Sequence, residues 1–222
     1  MKNKVVLFDI DYTLFNAKKY REKFTEKLAK ALRYTGSDFN KHADSAYKEH
    51  RETHAYFDPV IFAQTLSRKL SLLVDAEELK QIILSEKILE ESLYDDTIRV
   101  LSRLAEYKEL TLGIFSAGLL HVQEPKIKQI RHFLHEDHIH IYEFRKQHAL
   151  PQLMEKYKKD FVIIVDDIQE VLHIAKQNKP DVHTVLIRRT EEGSLRIDNF
   201  HPDSIIRSLD EVVPVVLGES AV

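Results

Sequence analysis

The 222-residue sequence predicts an α/β protein, a Rossmann-like three-layer core with a mostly parallel sheet, plus an inserted all-helical segment. Three observations predict it. Four short apolar runs, VVLF (5–8), LTLGIF (110–115), FVIIV (161–165) and HTVLI (183–187), are rich in β-branched residues and do not alternate, as expected of strands covered on both faces. Helical patterns separate the last three runs, which argues for a doubly wound sheet. Residues from about 16 to 92 contain no convincing strand and place apolar residues at helical spacing.

Taken in order, VVLF is the first strand. The insertion follows, with Phe24, Leu28, Ala31 and Leu32 on one helical face. Asp58-Pro59 starts a helix that runs into VIFAQTLSRKL, because proline suits the first turn. Asp75 and Glu78 have capping-box spacing ahead of Leu79, Ile82 and Ile83. About four helices result. In DDTIRVLSRLAEY, Asp95 or Asp96 is the expected N-cap, with Ile98, Leu101 and Leu104 on one face. The helices ALPQLMEKY and QEVLHIAKQ flank FVIIV, and the tail after about residue 214 is expected to fray. The organisation expected is a core of residues 1–15 and 93–222 and a helical cap of residues 16–92.

Composition narrows the chemistry. The formal net charge is −3, which gives no broad drive toward a nucleic-acid polymer or an acidic membrane surface. There is no cysteine, which excludes disulfides, thiolate nucleophiles and Cys-ligated zinc. Asp9 and Asp11 interrupt the first apolar run too early for a signal peptide, and no later run has transmembrane length, so a cytoplasmic protein is expected. The five glycines form neither GxGxxG nor GxxxxGK[ST], so any phosphate chemistry must use side chains and metal.

The acids stand at strand ends. In open α/β sheets ligands bind beyond the carboxyl ends of the strands. VVLF is followed by Asp9 and Asp11, then Thr13; LTLGIF by Ser116, Ala117 and Gly118; FVIIV by Asp166 and Asp167. Two acids directly after a buried strand repel each other and are costly to desolvate, so their convergence points to a site. Single residues have plainer readings: turn or N-cap for the acids and Ser116, solvated surface for Lys146. His132, His135, His138 and His140, and His50 with His54, match no catalytic metal spacing and are read as packed or solvated. Tyr47, Tyr56 and Phe57 are read as the core of the helical segment.

In their order, FDIDYTLF, GIFSAG, a lysine near RKQHALPQL and VIIVDDIQE resemble the four motifs of the haloacid dehalogenase (HAD) superfamily, in its phosphatase form with a helical cap after the first motif. The resemblance spans nearly the whole chain. It implies Asp9 as nucleophile and Asp11 as the acid that protonates the leaving oxygen and then activates water. It implies Mg²⁺ held by Asp9, the Asp11 carbonyl, and Asp166 and Asp167, with either of the last two as the direct ligand. Ser116, Ala117, Lys146 and Thr13 would bind phosphate or brace the loop, with Arg145 and Lys126 as alternatives to Lys146. Dehalogenases of this superfamily lack the second aspartate, so Asp11 implies phosphate esters. The expected function is therefore Mg²⁺-dependent hydrolysis of a small phosphorylated metabolite, a nucleotide or sugar phosphate. A phosphomutase and a non-catalytic HAD-fold binding protein are the rivals. A receiver-like module fits less well, since it has adjacent acids after its first strand and no insertion. The sequence leaves the oligomeric state open.

Overall fold

The computed structural model describes residues 3–34, 38–72, 75–189 and 197–218. Gly36, Gly193 and the last four residues of the tail lie outside them. By its contacts the chain divides into two compact units, one of Met1–Phe15, Tyr94–Ala117 and Ile127–Val222, the other of Asn16–Leu93 and Gly118–Lys126.

The first unit carries a six-stranded, wholly parallel sheet. Its strands are β1 (Lys4–Phe8), β2 (Leu110–Ala117), β3 (Ile139–Tyr142), β4 (Phe161–Asp166), β5 (His183–Ile187) and β6 (Ser204–Ile206), in the order β3-β2-β1-β4-β5-β6. The first strand in sequence is thus central, with β2 and β4 on its two sides. Consecutive residues Val5 to Phe8 are all buried, so both faces of β1 are covered. That explains why the run does not alternate. On one face Val5, Leu7, Phe115, Val162, Ile164 and Leu186 join Leu150, Leu153, Met154, Val171 and Leu172 in one core cluster. Each fully buried side chain of this kind contributes about 1.5–3 kcal/mol.

Among the described residues the insertion holds five helices, where about four were expected: α1 (Ala17–Ala31), α2 (Phe39–Thr53), α3 (Pro59–Leu70), α4 (Ala76–Ile83) and α5 (Glu86–Glu90). Asp58 caps α3 as its sequence predicts, accepting the amides of Val60 and Ile61. Asp75 caps α4 through the Glu77 amide. Phe57 packs among Phe24, Tyr47 and Phe62. The expected face of α1 is shorter than its pattern: Phe24 and Leu28 are buried, whereas Ala31 is exposed because the helix ends there. The remaining helices are α6 (Thr97–Ala105), α7 (Leu120–Ile127), α8 (Leu150–Lys156), α9 (Gln169–Asn178) and α10 (Val212–Leu217). In α6, Leu101 and Leu104 face the core as expected, whereas Ile98 is exposed and Thr97 and Val100 complete the buried face. Among the described residues no helix is long and apolar enough to cross a membrane.

Gly113 lies opposite Leu7 in the ladder between β1 and β2. A Cβ there would sit 2.4 Å from the His138 carbonyl oxygen and 2.9 Å from Leu7 Cδ2. Neither a backbone carbonyl nor a packed core methyl yields that much space. Gly113→Ala is therefore expected to destabilise the protein by about 1–3 kcal/mol, read as a lower urea midpoint with an unchanged slope.

Candidate active site

The pairing of β1 with β4 runs one step past the strand, where the Asp9 amide donates to the Val165 carbonyl at 2.9 Å. Phe8 is opposite Val165, so Asp9 and Asp166 are the next pair along. Directly opposed residues share a face of the sheet. Leu7 and Ile164, each two residues earlier, belong to the core cluster that α8 and α9 cover. Both carboxylates therefore sit at the top of that packed face, 5% and 0% exposed.

Lys146 meets them there. It stands in a 3-10 turn, Lys146–Ala149, that leads into α8. Its Nζ donates to Asp9 Oδ1 and to Asp166 Oδ2, both at 2.6 Å, and lies 5.5 Å from the centre of the Phe115 ring. The other Asp166 oxygen accepts the Ile168 amide at 2.9 Å, which closes a turn ahead of α9. Asp167 completes the group: oxygens of Asp9, Asp166 and Asp167 all lie within 4.8 Å of one another.

The electrostatics follow from burial. Desolvation would lower the lysine's pKa, but Asp166 and Asp9 hold it well above the usual lysine range. Burial pushes Asp166 up to about 7, against the pull of Lys146 and with the Asp9 charge adding to it. Burial, then the charges of Asp9 and Asp166, push Asp167 up to about 8. One ammonium thus faces three carboxylates. Hard oxygen donors at this spacing, short of positive charge, fit a small divalent cation such as Mg²⁺.

Asp11 leaves β1 on a tight turn. The Ile10 carbonyl accepts the amides of Thr13, Leu14 and Phe15, and the Tyr12 amide donates to the Phe15 carbonyl. Tyr12 has a φ of 60°, a left-handed backbone that costs a non-glycine residue on the order of 1 kcal/mol. Asp11 is near enough to Asp167 to help raise its pKa. Ser116, buried, and Ala117 end β2 opposite Ile141 and Tyr142. Thr13 is buried, and its hydroxyl has no hydrogen-bond partner among the described residues. Of the three cations read as alternatives, Lys146 joins the acids. Arg145 is exposed, and Lys126 belongs to the other unit. Among the described residues the histidines supply no group of three metal ligands; Tyr157 Oη instead bridges His138 and His140 at 2.8 Å each.

Sequence reasoning missed Arg189. It follows β5 by two residues, in the same strand-end position that drew attention to the acids, and the run HTVLIRR carries that signal. Its guanidinium binds Asp96 through Nη1 and Nη2, at 2.6 and 2.9 Å, and the Thr13 carbonyl through Nε and Nη2. Asp96, expected as an N-cap, makes no side-chain cap bond to α6, because its carboxylate is committed to Arg189 and the Leu209 amide.

Neither the models of protein families nor the curated proteins give a match to this sequence. Solved structures do. A haloacid dehalogenase-like hydrolase from Burkholderia xenovorans superimposes with a TM-score of 0.74 at 17% identity, over 100% of each chain. The chain has the HAD fold. YfnB of Bacillus subtilis, assigned as a HAD-hydrolase and bound to magnesium, matches with a TM-score of 0.67 at 15% identity, covering 97% of this chain and 99% of that one. The L-2-haloacid dehalogenase of Xanthobacter autotrophicus matches with a TM-score of 0.63 at 16% identity, over 100% of both. The same HAD fold therefore spans dehalogenases and a magnesium-bound protein, and the side chains at the strand ends must discriminate between them.

Proposed function

We propose that this protein is a Mg²⁺-dependent phosphomonoesterase that acts on a small phosphorylated metabolite through an aspartyl-phosphate on Asp9. The observation that carries the reading is the group of buried Asp9, Asp166 and Lys146 with half-buried Asp167, and Asp11 two residues after Asp9. Carbon–halogen cleavage needs neither a cation for a phosphoryl dianion nor a proton for the leaving group. Phosphoryl transfer needs both.

Asp9, Asp166 and Asp167 would hold Mg²⁺, along with the Asp11 carbonyl. Bound there, the ion would neutralise charge on the phosphoryl oxygens. Asp166 commits its oxygens to Lys146 and to the Ile168 amide, which favours Asp167 as the direct ligand. An oxygen of Asp9 attacks phosphorus in line, while Asp11 gives its proton to the departing ester oxygen. Lys146, Ser116 and the Ala117 amide hold the phosphoryl oxygens as charge moves. Asp11, now ionised, takes a proton from water, which attacks phosphorus and releases phosphate from Asp9. We assign substrate choice to the helical segment, residues 16–92.

The test is phosphate release from a panel of sugar phosphates, nucleotides and p-nitrophenyl phosphate, with Mg²⁺ and with EDTA, beside a panel of 2-haloacids. Turnover of one or more phosphates that EDTA removes is the expected result. Halide release without phosphate release would replace this reading with dehalogenation; no release from either would leave a mutase or a binding protein.

The raised acids also set the pH dependence of metal binding. Asp166 and Asp167 must be ionised to take the ion, so their protons compete with it below about pH 7 and 8. Apparent Mg²⁺ affinity is expected to climb between pH 6 and 8.5 and level off above. Calorimetry in buffers of different ionisation heat would show net proton release at pH 6.5 and little at pH 9. Metal-free stability runs the other way. Both folded-state values exceed the unfolded carboxylate value, so this pair destabilises the metal-free protein increasingly as pH rises from about 4 to about 8.

A further inference from the structure

We propose that Arg189 is a positioning residue for Asp11, an inference that rests on the phosphatase reading above. Asp11 lies in a turn whose two flanks are held differently. On the β1 side, the Ile10 carbonyl gathers three amides of the turn itself. On the far side, the Thr13 carbonyl receives two N–H groups of Arg189, at 3.2 and 2.8 Å. The next carbonyl, of Leu14, receives the Thr97 hydroxyl at 2.8 Å and the Tyr94 amide at 3.1 Å.

Arg189 is itself immobilised. Asp96 grips it through two oxygens, and the pair is only 7% and 10% exposed at the side chains. The Asp96 carboxylate is fixed in turn by the Leu209 amide at 2.9 Å. The guanidinium lies 4.0 Å from the centre of the Tyr94 ring. The planar fork of an arginine can serve a carboxylate and a carbonyl at once, and a lysine ammonium cannot reproduce that geometry. The arrangement therefore ties the Asp11 turn to the carboxyl end of β5 and to the start of α6, which the hydrogen bonds within the turn cannot do. Proton transfer to a leaving oxygen demands this, since about 1 Å of displacement can cost on the order of 10²-fold.

The experiment compares Arg189→Lys and Arg189→Ala with the wild type in Mg²⁺ on p-nitrophenyl phosphate and glycerol 2-phosphate. Urea midpoints identify any variant that does not fold. p-Nitrophenolate leaves with little help, whereas an alkoxide must be protonated. In Arg189→Lys, the rapid-quench rate of Asp9 phosphorylation by glycerol 2-phosphate is expected to fall by about 10²-fold and that by p-nitrophenyl phosphate by several-fold at most, while hydrolysis of the shared intermediate, which also uses Asp11, slows alike for both. Equal losses in the phosphorylation rate on both esters, or no loss, would overturn the proposal. Amide exchange of the 9–15 segment gives a second readout that needs no turnover. Faster exchange at Thr13 to Phe15 in Arg189→Lys is expected, and unchanged protection would overturn the role of Arg189. A wild type inactive on every ester, with exchange altered as expected, would remove the phosphatase reading and leave Arg189 as the anchor of the turn.

Discussion

Asp9→Asn is expected to abolish phosphate release, by on the order of 10⁵-fold or more, the scale seen when the nucleophile of a covalent mechanism is removed. The same change is expected to stabilise the metal-free fold. It deletes one of three clustered carboxylates, and the Asp9 charge is among the causes that raise both Asp166 and Asp167. Those two acids then ionise at lower pH, and the loss of metal-free stability toward pH 8 becomes shallower. Urea unfolding in EDTA at pH 5 and pH 8, beside the activity assay, measures both effects. A variant that is inactive yet more stable marks a residue retained for chemistry at a structural cost.

Lys146→Met is expected to act oppositely on stability. The methionine keeps the stem's volume over Phe115 but leaves Asp9 and Asp166 facing each other without a cation. Breaking a buried ion pair by removing one partner typically costs about 3–5 kcal/mol. The loss should grow with pH in EDTA, because Lys146 is among the causes that hold Asp166 and Asp167 down and its removal makes their ionisation costlier. Excess Mg²⁺ should recover part of it by binding the folded state alone. Activity should fall sharply even where the fold is recovered, because the Lys146 charge also serves the phosphoryl oxygens. An unfolding midpoint in EDTA that does not move would show that the pair contributes little to the fold.

What the sequence made legible, and what it hid, follows from how far apart the interacting residues lie. The strands β1, β2, β4 and β5 were readable because burial on both faces enforces continuous apolar runs. The strand β3 was hidden in HIHIY, since its four residues are only half-buried at the sheet edge. The three-residue β6, with Ile205 more than half exposed, carried too short a signal. The acids themselves were conspicuous, as charges after greasy runs. Their pairing was not: that Asp9 and Asp166 are neighbours depends on a ladder joining residues 157 apart, which no local pattern encodes. Lys146 came from resemblance alone, and a lysine in RKQH reads as surface until the turn buries its side chain to 4% exposure. Asp96 shows the opposite failure. Asp95 or Asp96 was the expected N-cap of α6; Asp96 holds that position, but Arg189, 93 residues away, takes its carboxylate. Nor did any composition change mark Gly118–Lys126 as grouping with the helical unit.

The measurement that tests the central claim most directly is a rapid-quench reaction of Asp11→Asn with p-nitrophenyl phosphate and Mg²⁺, followed by peptide mass spectrometry. This ester needs little help from an acid, so Asp9 should still be phosphorylated. Its hydrolysis loses the base that activates water. The predicted result is a burst of p-nitrophenolate close to one per enzyme, with the phosphoryl group on the peptide containing Asp9 and no burst in EDTA. Steady phosphate release with no burst and no adduct, at a rate that Asp9→Asn leaves unchanged, would contradict the account.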